Sequence, residues 1–234
     1  MSYAPTAVGI TEQRLTLKVS EKAGSVSALL ERPPRATALY VLSHGAGAGM
    51  HHVFMTDISA ALHARGIATL RFQFPYTERG GRRPDPKPWL VQTIAAAVTA
   101  GANAMPSVPL LAGGKSMGGR MTSHLAAQSP APPIDGLVFL GFPLHPSGKE
   151  GIERAAHLPR VTTPMLFVQG TRDKLADLPL IRGVVDGLGP HARMHVVEGA
   201  DHGFAVLKRS GRTPADVLAE LATTVATFIT ELID

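Results

Sequence analysis

The sequence predicts an α/β fold: a mostly parallel central sheet with helices on both faces and an antiparallel hairpin at the amino-terminal edge. In the second half of the chain, short apolar runs alternate with segments of helical periodicity, which is typical of a parallel sheet covered on both sides. Near the start, two strand-like runs at 15–19 and 26–30 flank the turn residue Gly24. We find no linker that would separate two domains, so we expect residues 1–234 to form a single domain, with residues 1–10 loosely held.

The elements after the hairpin follow from apolar runs and from the residues that interrupt them. The continuous apolar run 38–42 predicts a strand that is buried on both faces. In residues 52–65 apolar side chains recur at helical spacing, and Gly66 ends this predicted helix. A strand at 67–74 comes next and is closed by Pro75, after which a loop rich in proline and glycine leads to Pro88.

The rest of the chain repeats this alternation. The segment 89–105 is rich in alanine, which favours helix. The last helix has Thr213 as a plausible N-cap and Pro214 in its first turn. The predicted strands of this part are 108–113, 137–140, 165–168 and 194–197, and the predicted helices are 89–105, 117–128, 175–188 and 214–232.

Composition excludes several classes of protein. Hydrophobic residues make up 44% of the chain and charged residues 18%, which is typical of a globular protein. No apolar run is long enough to span a bilayer, and the first residues do not form a signal peptide, so we expect no membrane contact and a cytoplasmic location. The absence of cysteine excludes disulfides, thiolate metal sites and a cysteine nucleophile.

The most informative motif is Gly114-Lys115-Ser116-Met117-Gly118, which matches G-x-S-x-G between a predicted strand and a predicted helix. In this context the glycines permit a tight turn that exposes the serine hydroxyl above the sheet, as a nucleophile requires. The helix start supplies N–H groups and a positive dipole end near the charge that develops on a substrate. In a chain with 24 glycines, a plain glycine-rich turn is the alternative.

Three more loops with reactive residues each follow a predicted strand, and such loops meet at one edge of a parallel sheet. Around His44 and Gly45, glycines allow the Ala46 N–H to turn towards a substrate oxygen; a merely flexible loop is the alternative. Asp173 can orient a histidine or act as a turn or capping residue, and Asp177 is the second choice for this role.

The third loop carries His202 between glycines. Its neutral imidazole can take a proton from a serine near neutral pH. Asp201 adjoins it, but neighbouring side chains usually diverge, so Asp201 is a poor orienting partner.

With its order of Ser116, Asp173 and His202, the chain resembles the α/β-hydrolase superfamily, and within it the small lidless dienelactone-hydrolase-like group. The resemblance extends from about residue 38 to the carboxyl terminus and rests on the four motifs just described. It implies that these three residues are catalytic and that the N–H groups of Ala46 and Met117 form an oxyanion hole. The residues we expect to contact the substrate are His44, Gly45, Phe74, Lys115 and Phe204.

The chain also departs from its relatives. Dienelactone hydrolases proper use a cysteine nucleophile, which this chain does not have, and Lys115 is an unusual neighbour for the serine. The segment 142–163, where relatives often insert a cap domain, is short, so we expect no large lid.

These features predict a serine hydrolase that cleaves a small carboxylic ester or thioester through an acyl-enzyme on Ser116, without a cofactor. An acyltransferase with the same three residues and a non-catalytic interaction module are the alternatives. A metal site at His44, His51 and His52 is not favoured, because no suitably spaced acidic ligand accompanies these residues.

The expected partner is a small ester or thioester, and a homodimer is possible. The basic cluster of Arg79, Arg82, Arg83 and Lys87 lacks interleaved aromatic residues, so we expect a solvated loop and no nucleic acid. The same cluster could instead attract an anionic substrate.

Overall fold

The computed structural model describes residues 9–233 and contains one eight-stranded sheet, with strand order β1-β2-β4-β3-β5-β6-β7-β8. The predicted fold class is confirmed. The expectation for residues 1–10 falls mostly outside the described part. The strands are β1 (Thr11–Ser20), β2 (Gly24–Arg32), β3 (Ala38–Ser43), β4 (Ile67–Phe72), β5 (Leu110–Lys115), β6 (Gly136–Leu140), β7 (Met165–Gly170) and β8 (Ala192–Val197).

The amino-terminal strands form the predicted antiparallel edge. β1 pairs with β2 in antiparallel register, Thr11 opposite Arg32, and β2 pairs antiparallel with β4. From β4 across β3, β5, β6, β7 and β8, every neighbouring pair is parallel. The parallel strands are almost wholly buried, which explains why they read as continuous apolar runs in the sequence.

Helices cover both faces of the sheet and create two apolar cores. One core lies under α3, α4 and α5, and the other under α1 and α6. The helices are α1 (Val53–His63), α2 (Pro75–Glu78), α3 (Lys87–Ala104), α4 (Met117–Ala126), α5 (Leu178–Leu188) and α6 (Pro214–Ile233). Among residues 9–233, no helix combines the length and the apolar character that a membrane crossing needs.

Element boundaries differ from the predictions where proline or a capping residue intervenes. The predicted strand 67–74 ends at Phe72, because Phe74 is the N-cap of α2 and Pro75 its first residue. Helix α3 begins two residues early, at Lys87, with Pro88 in its first turn. The predicted helix 175–188 begins at Leu178, because the Asp177 side chain caps it by accepting the Leu180 N–H.

The carboxyl ends of the parallel strands meet at one edge of the sheet, and the four loops singled out in the sequence lie there. The connection between β6 and β7, residues 141–164, forms two short 3₁₀ turns, Glu153–Ala155 and Leu158–Arg160. It adds no cap domain, as expected. The site at this edge is therefore shaped by loops alone.

Candidate active site

Ser116 occupies a sharp turn between β5 and α4. Its backbone has φ 51° and ψ −115°, a conformation that residues with a side chain rarely adopt. The Ser116 N–H donates to the carbonyl of Leu140 at 3.1 Å, which fastens the turn to the end of β6. A strained residue of this kind persists only where its surroundings hold it, and it commonly marks a functional site.

Glycines make the turn possible because neighbouring strands leave no room for side chains. A Cβ on Gly114 would overlap the Ser43 carbonyl oxygen, and one on Gly113 would overlap that of Val138. A Cβ on Gly118 would lie 2.6 Å from the same Ser43 oxygen. Gly113 and Gly114 also have positive φ values, 153° and 137° respectively. These three residues, the glycine collar of Ser116, let the backbone of the turn press directly against β3 and β6.

His202 and Asp173 complete a continuous chain of hydrogen bonds with the serine. His202 Nε2 lies 2.8 Å from Ser116 Oγ, and Nδ1 lies 2.7 Å from Asp173 Oδ2. Since an ionised carboxylate can only accept, Nδ1 carries the proton, and Nε2 is then free to accept the serine hydroxyl proton. The structure therefore brings together the three residues that the sequence placed after separate strands.

Ala46 and Met117 line the same cleft as Ser116. Met117 is the first residue of α4, so its N–H has no acceptor within the helix. Ala46 belongs to the turn after β3, and both residues line a cleft of about 380 Å³ together with Ser116. Two amides in this position can stabilise an oxygen that becomes negative when a carbonyl is attacked.

Comparison with known proteins identifies the family of the chain. Residues 36–230 match the model of a family described as an alpha/beta hydrolase domain. The chain belongs to this α/β-hydrolase family.

Solved structures of other proteins share the fold. The hydrolase chain has a TM-score of 0.73 and 20% identity with dienelactone hydrolase from Anabaena variabilis, over 95% of this chain and 98% of that chain. A lidless α/β serine hydrolase from Xanthomonas campestris gives 0.72 and 20%, over 98% of each chain. A cold-adapted esterase from an Arctic intertidal metagenomic library gives 0.67 and 18%, over 97% of this chain and 99% of that chain. At these identities the likeness establishes the fold.

Gln169 is a site residue of this hydrolase that sequence analysis missed. Its side chain is fully buried, donates to Asp173 Oδ2 at 2.6 Å and accepts the Phe142 N–H at 3.0 Å. The second oxygen of Asp173 accepts the Leu175 N–H at 2.8 Å. These bonds fix the carboxylate that faces His202. A polar residue near the end of the apolar strand β7 was the available signal.

Lys115, expected to contact substrate, has an unusual environment. Its ammonium is buried and has no hydrogen-bond partner among residues 9–233. It lies 5.4 Å from the centre of the Phe204 ring and 6.0 Å from that of Phe54, and these two rings are stacked. Burial lowers the pKa of Lys115 to about 8, although Asp173 and Asp201 act in the opposite direction.

Gly45 and Phe204, which were also expected to contact substrate, lie in different positions. Gly45 lines a second cleft of about 360 Å³, which also contains His202 and Lys115. Phe204 is 5% exposed and packs on Phe54, so it supports this cleft from behind. Asp201 accepts the N–H groups of Gly203 and Ala205 and shapes the histidine loop.

His44 and Phe74 are fully buried, and the expectation that they touch substrate needs correction on this ground. His44 Nε2 accepts the Phe74 N–H at 3.3 Å and Nδ1 donates to the Gly45 carbonyl at 2.8 Å. Burial lowers the pKa of His44 to about 4, so the ring is neutral at pH 7. The pair holds the loop after β3 in place.

Two alternatives from the sequence analysis remain, namely Asp177 as the carboxylate at the histidine and a metal site. Asp177 caps α5 rather than facing His202, which leaves Asp173 as the carboxylate at the histidine. In the described part of the chain, no three histidine, aspartate or glutamate side chains are grouped as metal ligands would be.

Proposed function

We propose that the protein is a serine hydrolase that cleaves a small carboxylic ester or thioester through an acyl-enzyme on Ser116. The observation that carries the proposal is the hydrogen-bonded chain from Ser116 Oγ through His202 to Asp173, with spacings of 2.8 and 2.7 Å. A nucleophile, a base and an orienting carboxylate in this order have no evident use in a binding module. The proteins that share the fold include an esterase and a dienelactone hydrolase, which supports the same reaction class.

In the first half of the reaction, Ser116 Oγ attacks the carbonyl carbon while His202 Nε2 accepts its proton. The amides of Ala46 and Met117 stabilise the oxyanion, and buried Asp173 stabilises the imidazolium. His202 then gives the proton to the leaving oxygen or sulfur. In the second half, His202 takes a proton from water, the hydroxide attacks the acyl-enzyme, and Ser116 regains its proton as the acid departs.

The first prediction tests the nucleophile. Ser116→Ala removes the attacking oxygen, so kcat/KM for a 4-nitrophenyl ester should fall by about three orders of magnitude or more. Wild-type protein should form a covalent adduct with a fluorophosphonate, detected by intact-protein mass spectrometry, and the variant should not. Ser147→Ala, in the exposed connection after β6, is the control and should label normally.

An unlabelled wild-type protein that hydrolyses no ester would refute the proposal and favour a non-catalytic module. The acyltransferase alternative is distinguished by adding alcohols, amines or thiols during turnover. A transferase forms the new acyl product at the expense of the free acid, whereas the proposed hydrolase releases the acid throughout.

A further inference from the structure

The two clefts beside Ser116 differ in character. The 360 Å³ cleft contains His202 and apolar Phe54 and Met55. The 380 Å³ cleft adjoins Ser116, Ala46 and Met117 and presents the basic side chains Lys87, Arg120 and Arg154, which we call the basic cleft. These three cations come from separate elements, since Lys87 begins α3, Arg120 lies in α4 and Arg154 lies in a 3₁₀ turn.

The positive charge of the basic cleft is not balanced by its own lining. Asp85 is the acidic residue in the lining; its Oδ1 accepts from Arg79 at 2.6 Å, and its Oδ2 is buried without a hydrogen-bond partner among the described residues. The three cations of the lining still outnumber this single negative charge. The Arg120 Nε atom is buried without a hydrogen-bond partner among the described residues. A charged donor in this state is costly unless a ligand completes it.

The pKa values of groups in and behind the basic cleft are lowered by burial and by the same positive charges. Burial, and then the charge of Arg154, lower the pKa of Arg120. Behind it the rings of His124 and His157 stack with centres 3.6 Å apart. Burial and nearby cations, Lys87 and Arg120 among them, lower their pKa values to about 4 and about 3. Both rings are therefore neutral at pH 7, and the cationic side chains remain available to an anion.

The position of His202 decides which part of a substrate enters the basic cleft. His202 must give its proton to the leaving group, so the leaving group belongs in the cleft that His202 lines. The acyl part then extends from Ser116 into the other cleft, past the Ala46 and Met117 amides.

We propose that the acyl group of the substrate carries an anionic oxygen group, a carboxylate or a phosphate, which binds Lys87, Arg120 and Arg154. The inference rests on the proposed hydrolase function and names the substrate class of the same site. The inference also changes which residues of the predicted basic cluster are expected to attract an anion. Arg79 is engaged by Asp85 and lies over Trp89, whereas Lys87 of the same basic cluster lines the cleft.

The second prediction compares three 4-nitrophenyl esters of matched acyl length, in which only the end group changes: the monoester of adipic acid, the 5-phosphonopentanoate and the neutral 6-methylheptanoate. At low ionic strength, kcat/KM should be at least about tenfold higher for one of the anionic esters than for the neutral ester. The anionic ester that is preferred identifies the end group. Added salt should narrow the gap, because the basic cleft is open to solvent.

Substitutions in the basic cleft test which residues produce the preference for an anionic ester. Arg120→Gln and Arg154→Gln should each reduce the anionic-to-neutral ratio of kcat/KM by about tenfold. Arg65→Gln removes the same charge from an exposed position near the opposite edge of the sheet and should leave the ratio unchanged. Arg154 lies half-buried in a short 3₁₀ turn rather than within a helix, which makes its variant the safer one for folding. Labelling by a neutral fluorophosphonate verifies that Ser116 is intact in both variants.

A neutral ester that is cleaved as well as both anionic esters would overturn this inference and leave the hydrolase function standing. So would a ratio that both cleft variants leave unchanged. If Ser116 neither labels nor cleaves any of the esters, the proposed function itself fails and this inference fails with it.

Discussion

At the scale of single residues, Lys115 shows how the burial of a charged group beside Ser116 affects stability. The native state holds its ammonium out of water, which lowers the pKa from 10.5 to about 8. Below pH 8 the lysine is charged in both states, and the native state bears the full desolvation cost. Between pH 8 and 10.5 the unfolded state binds more protons than the native state, so this group makes stability rise with pH.

The third prediction follows for Lys115→Met. The unbranched apolar chain can pack over the stacked Phe54 and Phe204 rings, so the variant should be more stable than wild type at pH 7 by about 1–2 kcal/mol. The difference should shrink as the pH rises towards 10.5. Urea unfolding at pH 7, 8.5 and 10 measures it, with the exposed Lys18→Met as the control. A variant that is equally destabilised at every pH would show that the ammonium is not a burden to the fold.

Sequence reasoning found Ser116, Asp173 and His202 because each follows a predicted strand, and parallel strands bring such positions together. It did not find Gln169, because a polar residue near the end of an apolar strand marks an unusual position but does not show that its amide faces a carboxylate. His44 was misplaced for a related reason. A glycine loop gives no indication of which side chain faces the cleft and which is buried against Phe74.

At the scale of elements, α4 is joined to the connection after β6 through its histidine. His124 of α4 stacks on His157, and His157 Nε2 hydrogen-bonds to Ser123 Oγ at 2.7 Å. The pKa values of both rings, about 4 and about 3, lie below the usual 6.5. As pH falls below 6.5, His124 and His157 become protonated in the unfolded state while they stay neutral in the native state. The contribution of these two groups to the free energy of unfolding is therefore lost towards pH 4 and below.

The fourth prediction concerns this contact. His157→Gln keeps a donor for Ser123 Oγ but cannot become charged in acid. The free energy of unfolding of the variant should therefore fall less than that of wild type between pH 7 and pH 4.5, measured by urea titration. The exposed His51→Gln is the control and should behave as wild type. Parallel losses in His157→Gln and wild type would exclude this histidine as a source of acid sensitivity.

Elements were predicted well where burial fixes them and less well at their ends. The parallel strands read as apolar runs because helices cover both faces. The end of β4 was placed two residues late, because Phe72 and Phe74 alternate with polar Gln73 as in a strand, while Pro75 already starts a helix. Local backbone chemistry decides such ends, and the hydrophobic pattern does not record it.

At the scale of the whole molecule, the open edge of the sheet limits what the site can enclose. The two clefts measure about 380 and 360 Å³, and the connection between β6 and β7 adds only 3₁₀ turns above them. A long acyl chain would leave its outer methylenes in water. Each of these would gain little of the roughly 0.8 kcal/mol that full burial provides.

The fifth prediction is a preference for short acyl chains. Across neutral 4-nitrophenyl esters from acetate to dodecanoate, kcat/KM should peak early and then fall or level off. The measurement is made below the critical micelle concentration of each ester, so that aggregation does not imitate selectivity. A steady increase up to dodecanoate would reveal an apolar tunnel in a conformation that the structure does not show.

The seat of Ser116 also bears on how such an enzyme can change over evolutionary time. The glycine collar contacts the backbone of Ser43 and Val138. A side chain on any of the three collar glycines would therefore meet backbone atoms, which no rotamer change can move away. The hydroxyl itself projects into the open clefts, where a thiol would occupy almost the same space. A single codon change can thus exchange the oxygen of residue 116 for sulfur. The three glycines of the collar, in contrast, cannot be replaced by residues with a side chain.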